Sequence, residues 1–209
     1  MNKIVKSKLN EQEKFWSGNF GNNYINRNKS KLLKKNTDVF FKKIFQGKKI
    51  KISNVIEFGA NIGNNLDSLA KIFKKSQFTA VDINKRACDL LKKTNPKIDV
   101  INSEIQNLNI NKKFDLVLSK GVLIHINPNQ LDKIYEKIFN FSKKYILLAE
   151  YYNPSPVQIL YRKKKNKLFK RDFAGEMIKK YKLKLVDYGF SYRFEKYPQD
   201  DLTWFLLKK

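Results

Sequence analysis

Apolar residues fall into two alternating patterns along most of the chain: short continuous runs that suit buried strands, and longer stretches spaced to fill one face of a helix. From Ser53 onward the two take turns. Val55 to Phe58 reads as a strand, Asn64 to Phe73 as a helix, Phe78 to Asp82 as a strand and Lys85 to Lys93 as a helix halted before Asn95-Pro96. Asp99 to Asn102 and Phe114 to Ser119 are the next strands. Gln130 to Phe141 forms a helix opened by Pro128, and Tyr145 to Glu150 a fifth strand. Strand and helix in strict alternation predict an α/β fold with a doubly wound parallel sheet. A loop rich in proline and lysine, Tyr152 to Lys170, a short helix near Ala174 to Tyr181 and two last strands follow. Those strands, Leu185 to Phe190 and Leu202 to Leu207, alternate as an antiparallel terminal pair and complete a seven-stranded, mostly parallel sheet.

Residues 1–50 precede this pattern as an N-terminal helical extension, leaving 51–209 as the sheet-bearing part of a single domain. Glu11 to Trp16 and Lys31 to Phe45 are helical, and SGNFGNNYINRN between them reads as a polar, glycine-containing link. Trp16, Phe20, Tyr24 and Arg27 crowd into that stretch. Flat apolar faces with an arginine suit a lid over a ligand; they suit equally a plug packed against the sheet.

Composition narrows the picture. The 209 residues hold one cysteine, Cys88, so neither a disulfide framework nor a cysteine zinc cluster is expected. The opening MNKIVKSKLNEQEK is too polar for a secretory signal, and no apolar run approaches membrane-spanning length, so the expectation is a cytoplasmic protein without membrane association. The formal charge is +25, from 44 Lys and Arg against 19 Asp and Glu. The excess is lysine spread over every helix, which reads as solvated surface rather than a specific nucleic-acid footprint. Only RKKKNK, Arg162 to Lys167, is concentrated, as a cationic loop able to face an anionic substrate.

The chemistry centres on VIEFGANIGNNL, Val55 to Leu66, a strand running through a glycine turn into a helix. Gly59 and Gly63 allow sharp turning and close approach of a ligand, and Asn61 stands between them, giving E-x-G-x-N-x-G rather than the dinucleotide pattern G-x-G-x-x-G. Asp82, with Ile83 beside it, closes the second strand, where a carboxylate accepts hydrogen bonds from vicinal ribose hydroxyls. The alternative is a tight turn and an aspartate that only opens the next helix. Ser119, Lys120 and Gly121 end strand four, at the crevice where open α/β sheets bind ligands. His125, the one histidine, follows in GVLIHINP as a candidate general base or a packed core residue. Glu150 and Asp172 are further base candidates, although Asp172 equally suits a helix cap. No cluster has metal-ligand spacing.

These features resemble a class I S-adenosylmethionine-dependent methyltransferase, with a Rossmann-like sheet. The stretches EQEKFWSGNFGNNYINRN, VIEFGANIGNNL, LFKRDFAGEM and YPQDDLTWFLL are similar, more narrowly, to the pseudaminic acid biosynthesis-associated methylases, over nearly the whole chain. The resemblance implies S-adenosylmethionine as cofactor and a small-molecule acceptor, an anionic sugar related to the nonulosonic acids. It sets Gly59, Asn61 and Gly63 around the methionine and ribose, Glu57 near the amino end and Asp82 on the ribose. It also implies Glu104, where aspartate is usual, at the adenine amino group, with Ile105 against the ring. A nucleic-acid methyltransferase is the alternative, favoured by basicity and by Asn153-Pro154-Ser155-Pro156, which follows strand five rather than strand four and lacks a closing aromatic residue. A dehydrogenase or a silent binding module on the same fold are further readings; the broken glycine pattern disfavours the dehydrogenase.

Overall fold

The computed structural model describes residues 9–209, so the polar start Met1 to Lys8 lies outside the described residues. Three helices come first: α1 (Glu11–Ser17), α2 (Asn19–Asn28) and α3 (Lys31–Phe45). Then alternate β1 (Asn54–Phe58), α4 (Asn64–Ile72), β2 (Gln77–Asp82), α5 (Lys85–Thr94), β3 (Asp99–Asn102), β4 (Phe114–Lys120), α6 (Leu131–Phe141) and β5 (Ser142–Glu150). The chain continues through β6 (Val157–Tyr161), β7 (Lys164–Lys170), α7 (Phe173–Tyr181), β8 (Lys184–Ser191) and β9 (Leu202–Lys208).

Seven strands form one sheet in the order β3-β2-β1-β4-β5-β9-β8, and β6 with β7 forms a separate two-stranded ribbon. Neighbours from β3 to β5 are parallel, while β9 runs against both β5 and β8. The sheet order reverses between β1 and β4, and the crevice at their carboxyl ends is the expected ligand position.

Successive side chains of a strand point to opposite faces, and this chain fills both. On one face Val55, Leu116, Leu118 and Trp204 pack with Phe41, Leu66, Leu69 and Leu91 from α3, α4 and α5. On the other, Ile56, Phe58, Val117 and Leu148 pack with Ile134, Ile138 and Met177 from α6 and α7. Phe41 is fully buried, and truncating it to alanine is expected to cost about 3–5 kcal/mol. The extension therefore has two parts: α3 belongs to the core, whereas α1 and α2 lie across the carboxyl end of the sheet.

Two expectations are corrected. The link after Trp16 is helical from Asn19, because Ile25 is buried and Gly21 lets the backbone close on the Trp16 carbonyl, where a Cβ would collide. The stretch from Tyr152 to Lys170 holds the β6–β7 hairpin, turned by Arg162 and Lys163 at φ 50° and 64°. Two consecutive left-handed residues match the strand twist as a tight hairpin turn does. RKKKNK is thus a turn and a strand: Arg162 lies 5.9 Å over the Phe20 ring, and Lys167 is buried against the Glu11 carboxylate.

Candidate functional site

A cavity of about 350 Å³ opens at the carboxyl ends of β1, β2 and β4, roofed by α1 and α2, within the size range of small-molecule sites. Its floor is the loop after β1. Gly59 has φ +70°, and a Cβ there would strike the Val122 side chain. Asn61 takes the second glycine's place at φ 49°, a conformation asparagine tolerates better than most residues. The Asn61 backbone N–H donates to Oδ2 of Asp82 at 2.7 Å, and the Asn84 N–H donates to Oδ1 at 2.7 Å. Burial pushes the Asp82 carboxyl upward, and these two donors oppose the shift. Each carboxylate oxygen keeps acceptor capacity for a further donor.

Gly63 is the amino cap of α4 at φ +82°, and a Cβ there would meet Leu91; it does not line the cavity. Asn64 and Asn65 of the next turn do. Asn65 Nδ2 donates to Oε1 of Glu57 at 2.5 Å, leaving Oε2 buried without a partner among the described residues. Glu57 therefore sits behind the wall. Desolvation pushes its carboxyl up to about 8, against the pull of the Asn65 amide and the Lys120 charge. Ile83, Glu104 and Ile105 line the far end. Glu104 Oε2 accepts from Gln106 Nε2 at 3.2 Å and Asn107 Nδ2 at 2.5 Å.

At the end of β4, Lys120 and Gly121 line the cavity, whereas Ser119 is buried below it. The Ser119 hydroxyl donates to Oε1 of Glu150 at 2.8 Å. Glu150 also accepts from the N–H groups of Val122 and Leu123 at 3.1 Å each, and of Ile124 at 3.4 Å. Desolvation brings its carboxyl up to about 7 despite these donors. Glu150 is thus spent on holding the turn after β4 and does not reach the cavity. Asp172 does not reach it either: its Oδ1 accepts from the Gly175 N–H at 2.8 Å, capping α7.

His125 lies in the turn that Glu150 holds, and it lines the cavity. Its Nδ1 is 2.6 Å from the Lys167 carbonyl, which can only accept, so Nδ1 carries the proton and Nε2 is free to accept. Burial brings the imidazole down to about 4, keeping it neutral near pH 7. Trp16 packs on it with ring centroids 4.6 Å apart, and Tyr161 at 5.0 Å.

The roof is tied down at several points. Asn10 Nδ2 donates to Gln130 Oε1 at 2.6 Å, Gln106 Nε2 to Glu13 Oε1 at 2.9 Å, and Asn84 Nδ2 to the Trp16 carbonyl at 3.0 Å. Trp16, Tyr24 and Arg27 line the cavity, but Phe20 is on the outer side, stacked on Phe15 at 4.0 Å. Sequence reasoning missed Asn28, Asn84, Gln130, Tyr161 and Asp200, all cavity residues brought in from distant segments.

A nucleoside-type cofactor fits these residues. Trp16 Nε1 and Asn64 Oδ1 belong to lining side chains and are buried without partners among the described residues, and Glu57 Oε2 is a third such atom behind Asn65. Unpaired buried polar atoms are costly, which a ligand with matching groups relieves.

Residues 55–144 match the family model described as methyltransferase domain. A stretch of 88 residues is 28% identical to malonyl-[acyl-carrier protein] O-methyltransferase of Priestia megaterium, covering 40% of this chain and 32% of that protein. The chain thus spans about a third of the length of that curated relative. The structure of 1,6-didemethyltoxoflavin-N1-methyltransferase of Burkholderia thailandensis, bound to 1,6-didemethyltoxoflavin and S-adenosylhomocysteine, is similar with a TM-score of 0.71 at 12% identity, over 98% of this chain and 93% of that one. Magnesium protoporphyrin IX methyltransferase of Synechocystis PCC 6803, with bound S-adenosylmethionine, gives 0.69 at 11% identity, over 98% and 100%. The fold is that of the class I S-adenosylmethionine-dependent methyltransferases. No helix among the described residues is long and apolar enough to cross a membrane.

Proposed function

We propose that the chain is an S-adenosylmethionine-dependent methyltransferase acting on a small-molecule acceptor, an anionic sugar of the nonulosonic, pseudaminic-like class. The observation that carries the reading is the Asp82 carboxylate fastened beneath the Gly59–Asn61 loop, with acceptor capacity left for two ribose hydroxyls. When bound, S-adenosylmethionine supplies an electrophilic methyl group on sulfonium sulfur. The residues around it position and shield. The Gly59 and Asn61 backbone lets the ligand lie close, Glu104 and Ile105 serve the adenine end, and Asn65 relays Glu57 toward the amino end.

Methyl transfer is an in-line displacement, so alignment supplies much of the rate and a base is needed only where the attacking atom carries a proton. His125 is the group we assign to that proton. Its Nε2 lone pair is free at neutral pH, although the low basicity makes it a hydrogen-bond acceptor that orients the attacking hydroxyl more than a strong base. Glu150 acts through the turn that carries His125, and Asp172 has no part.

The sugar class is favoured by the resemblance of the N-terminal and C-terminal stretches and by the cations Arg27 and Lys120 in the cavity wall. The charge of +25 favours a second reading, methylation of nucleic acid. The test offers methyl-labelled S-adenosylmethionine with free and nucleotide-linked nonulosonic sugars, duplex DNA and RNA. Label is expected in a sugar; label in nucleic acid alone overturns the sugar assignment, and label in nothing, with no cofactor binding, overturns the enzyme.

A further inference from the structure

Three charged side chains from distant parts of the chain meet at one end of the cavity: Arg27 near the end of α2, Lys120 at the end of β4 and Asp200 in the loop before β9. Arg27 Nη2 lies 2.5 Å from Asp200 Oδ2, and the two side chains remain 42% and 60% exposed. The contact is a single N–H to a single oxygen, although a guanidinium offers a fork suited to both oxygens of a carboxylate. The guanidinium also lies 5.5 Å from the centre of the Tyr24 ring. Lys120 makes no ion pair among the described residues; its ammonium lies 5.7 Å over the Phe40 ring. Its surrounding charges are Glu57, Asp200 and Glu150, with Arg27 opposing them.

The loop that brings Asp200 here is held in an unusual shape. Asp200 and Asp201 are consecutive left-handed residues, at φ 56° and 54°, a conformation few non-glycine residues adopt. Arg193 stabilises the second: its backbone N–H donates to Asp201 Oδ1 at 2.8 Å and its guanidinium to Oδ2. Backbone strain persists only where surrounding contacts over-determine it, and such sites concentrate where ligands bind. Here the result is a carboxylate on an exposed cation, in the wall of a cavity that holds a second cation.

We propose that Arg27 and Lys120 form the subsite for the acceptor's carboxylate, and that Asp200 occupies Arg27 until that carboxylate displaces it. The inference rests on the reading above that the acceptor is an acid, and adds the residues that recognise it. An exposed ion pair contributes little net stability, so it is easily exchanged. An incoming carboxylate gains what Asp200 lacks, a two-pronged contact with Arg27, and takes over the attraction to Lys120 that Asp200 already has. A neutral analogue has no charge with which to displace Asp200, so the latch selects acids over their esters.

The test measures binding of N-acetylneuraminate and of its methyl ester, by calorimetry, to wild type, Asp200→Asn, Arg27→Ala and Lys120→Met, each saturated with S-adenosylhomocysteine. Asparagine tolerates the left-handed backbone at 200, so that variant removes charge and keeps the loop. The acid is expected to bind Asp200→Asn about three- to fivefold more tightly than wild type, the range open to an exposed ion pair. It should bind Arg27→Ala at least about tenfold more weakly, as loss of a charge-assisted contact requires. The ester should bind weakly and alike to all four proteins. Equal affinity of the acid for wild type and Asp200→Asn overturns the latch, and equal affinity for acid and ester overturns the subsite. Saturation with S-adenosylhomocysteine is checked first and separately: its failure in wild type strikes the methyltransferase reading, while the acid–ester comparison without it still decides the subsite.

Discussion

The backbone N–H of Asn61 donates to Oδ2 of Asp82 at 2.7 Å, so the loop leaving β1 and the acid closing β2 form one unit. A change at either residue reaches both the loop's shape and the proposed ribose contact.

Asp82→Ala is therefore expected to weaken S-adenosylmethionine binding by about 1.5–3 kcal/mol, the range for hydrogen bonds to a charged acceptor. Calorimetry reads the change, and undiminished affinity removes Asp82 from the site.

Glu57 gives a pH signature. Burial raises its carboxyl from 4.5 to about 8 in the folded chain. The unfolded chain releases this proton first, so any stability gained from the protonated carboxyl is complete below about 4.5 and lost as pH rises toward about 8. Glu57→Gln keeps the shape and removes the titration. The stability of that variant relative to wild type should grow with pH across that window in denaturant titrations, and a constant difference contradicts the assignment.

His125 works in the opposite sense. Its imidazole is lowered from 6.5 to about 4, so its contribution to stability is present above 6.5 and lost as pH falls through about 4. Nuclear magnetic resonance of the ring should show the neutral, Nδ1-protonated form at pH 6. A ring charged at that pH removes His125 as the acceptor of the substrate's hydrogen bond.

The roof makes a prediction about exchange. If α1 and α2 close over cofactor, amide exchange in residues 11–28 slows on adding S-adenosylhomocysteine, and Trp16→Ala lowers cofactor affinity. If they are a fixed plug, exchange is equally slow with and without ligand and Trp16→Ala destabilises the fold by about 3–5 kcal/mol. Trp16 is only half-buried, yet its indole N–H is buried without a partner among the described residues, and this favours the first outcome.

The central sheet was legible because its inner strands are covered on both faces and read as continuous apolar runs between helical stretches. Gly59, Asn61 and Asp82 stood out for a related reason: they fall at or just beyond the end of such a run, where open α/β sheets place ligands. The β6–β7 ribbon was not legible. Ile159 and Leu160 are exposed, and Arg162-Lys163 turns the chain without the glycine or asparagine that marks such turns. Helix α2 was obscured by Gly18, Gly21 and a run of asparagines, and its helicity comes from burial of Ile25 and from the close approach at Gly21. Glu150 looked like a base because it ends a strand at the crevice; only the fold reveals four donors converging on it. Asp200 lies within YPQDDLTWFLL but far along the chain from the glycine loop, and its position depends on two left-handed residues that no local pattern signals.

The order of the sheet also bears on how the protein is made. Strand β9 lies between β5 and β8 and is the later of the two terminal strands to be synthesised. At about 5–20 residues per second, β5 leaves the ribosome with one edge bare, and β8 follows before the strand that joins it to the sheet exists. A nascent chain halted before Leu202 thus presents an unpaired edge and a detached strand carrying Tyr188 and Phe190, both exposed even in the finished fold. Arrest at that point is where a chaperone has most to cover.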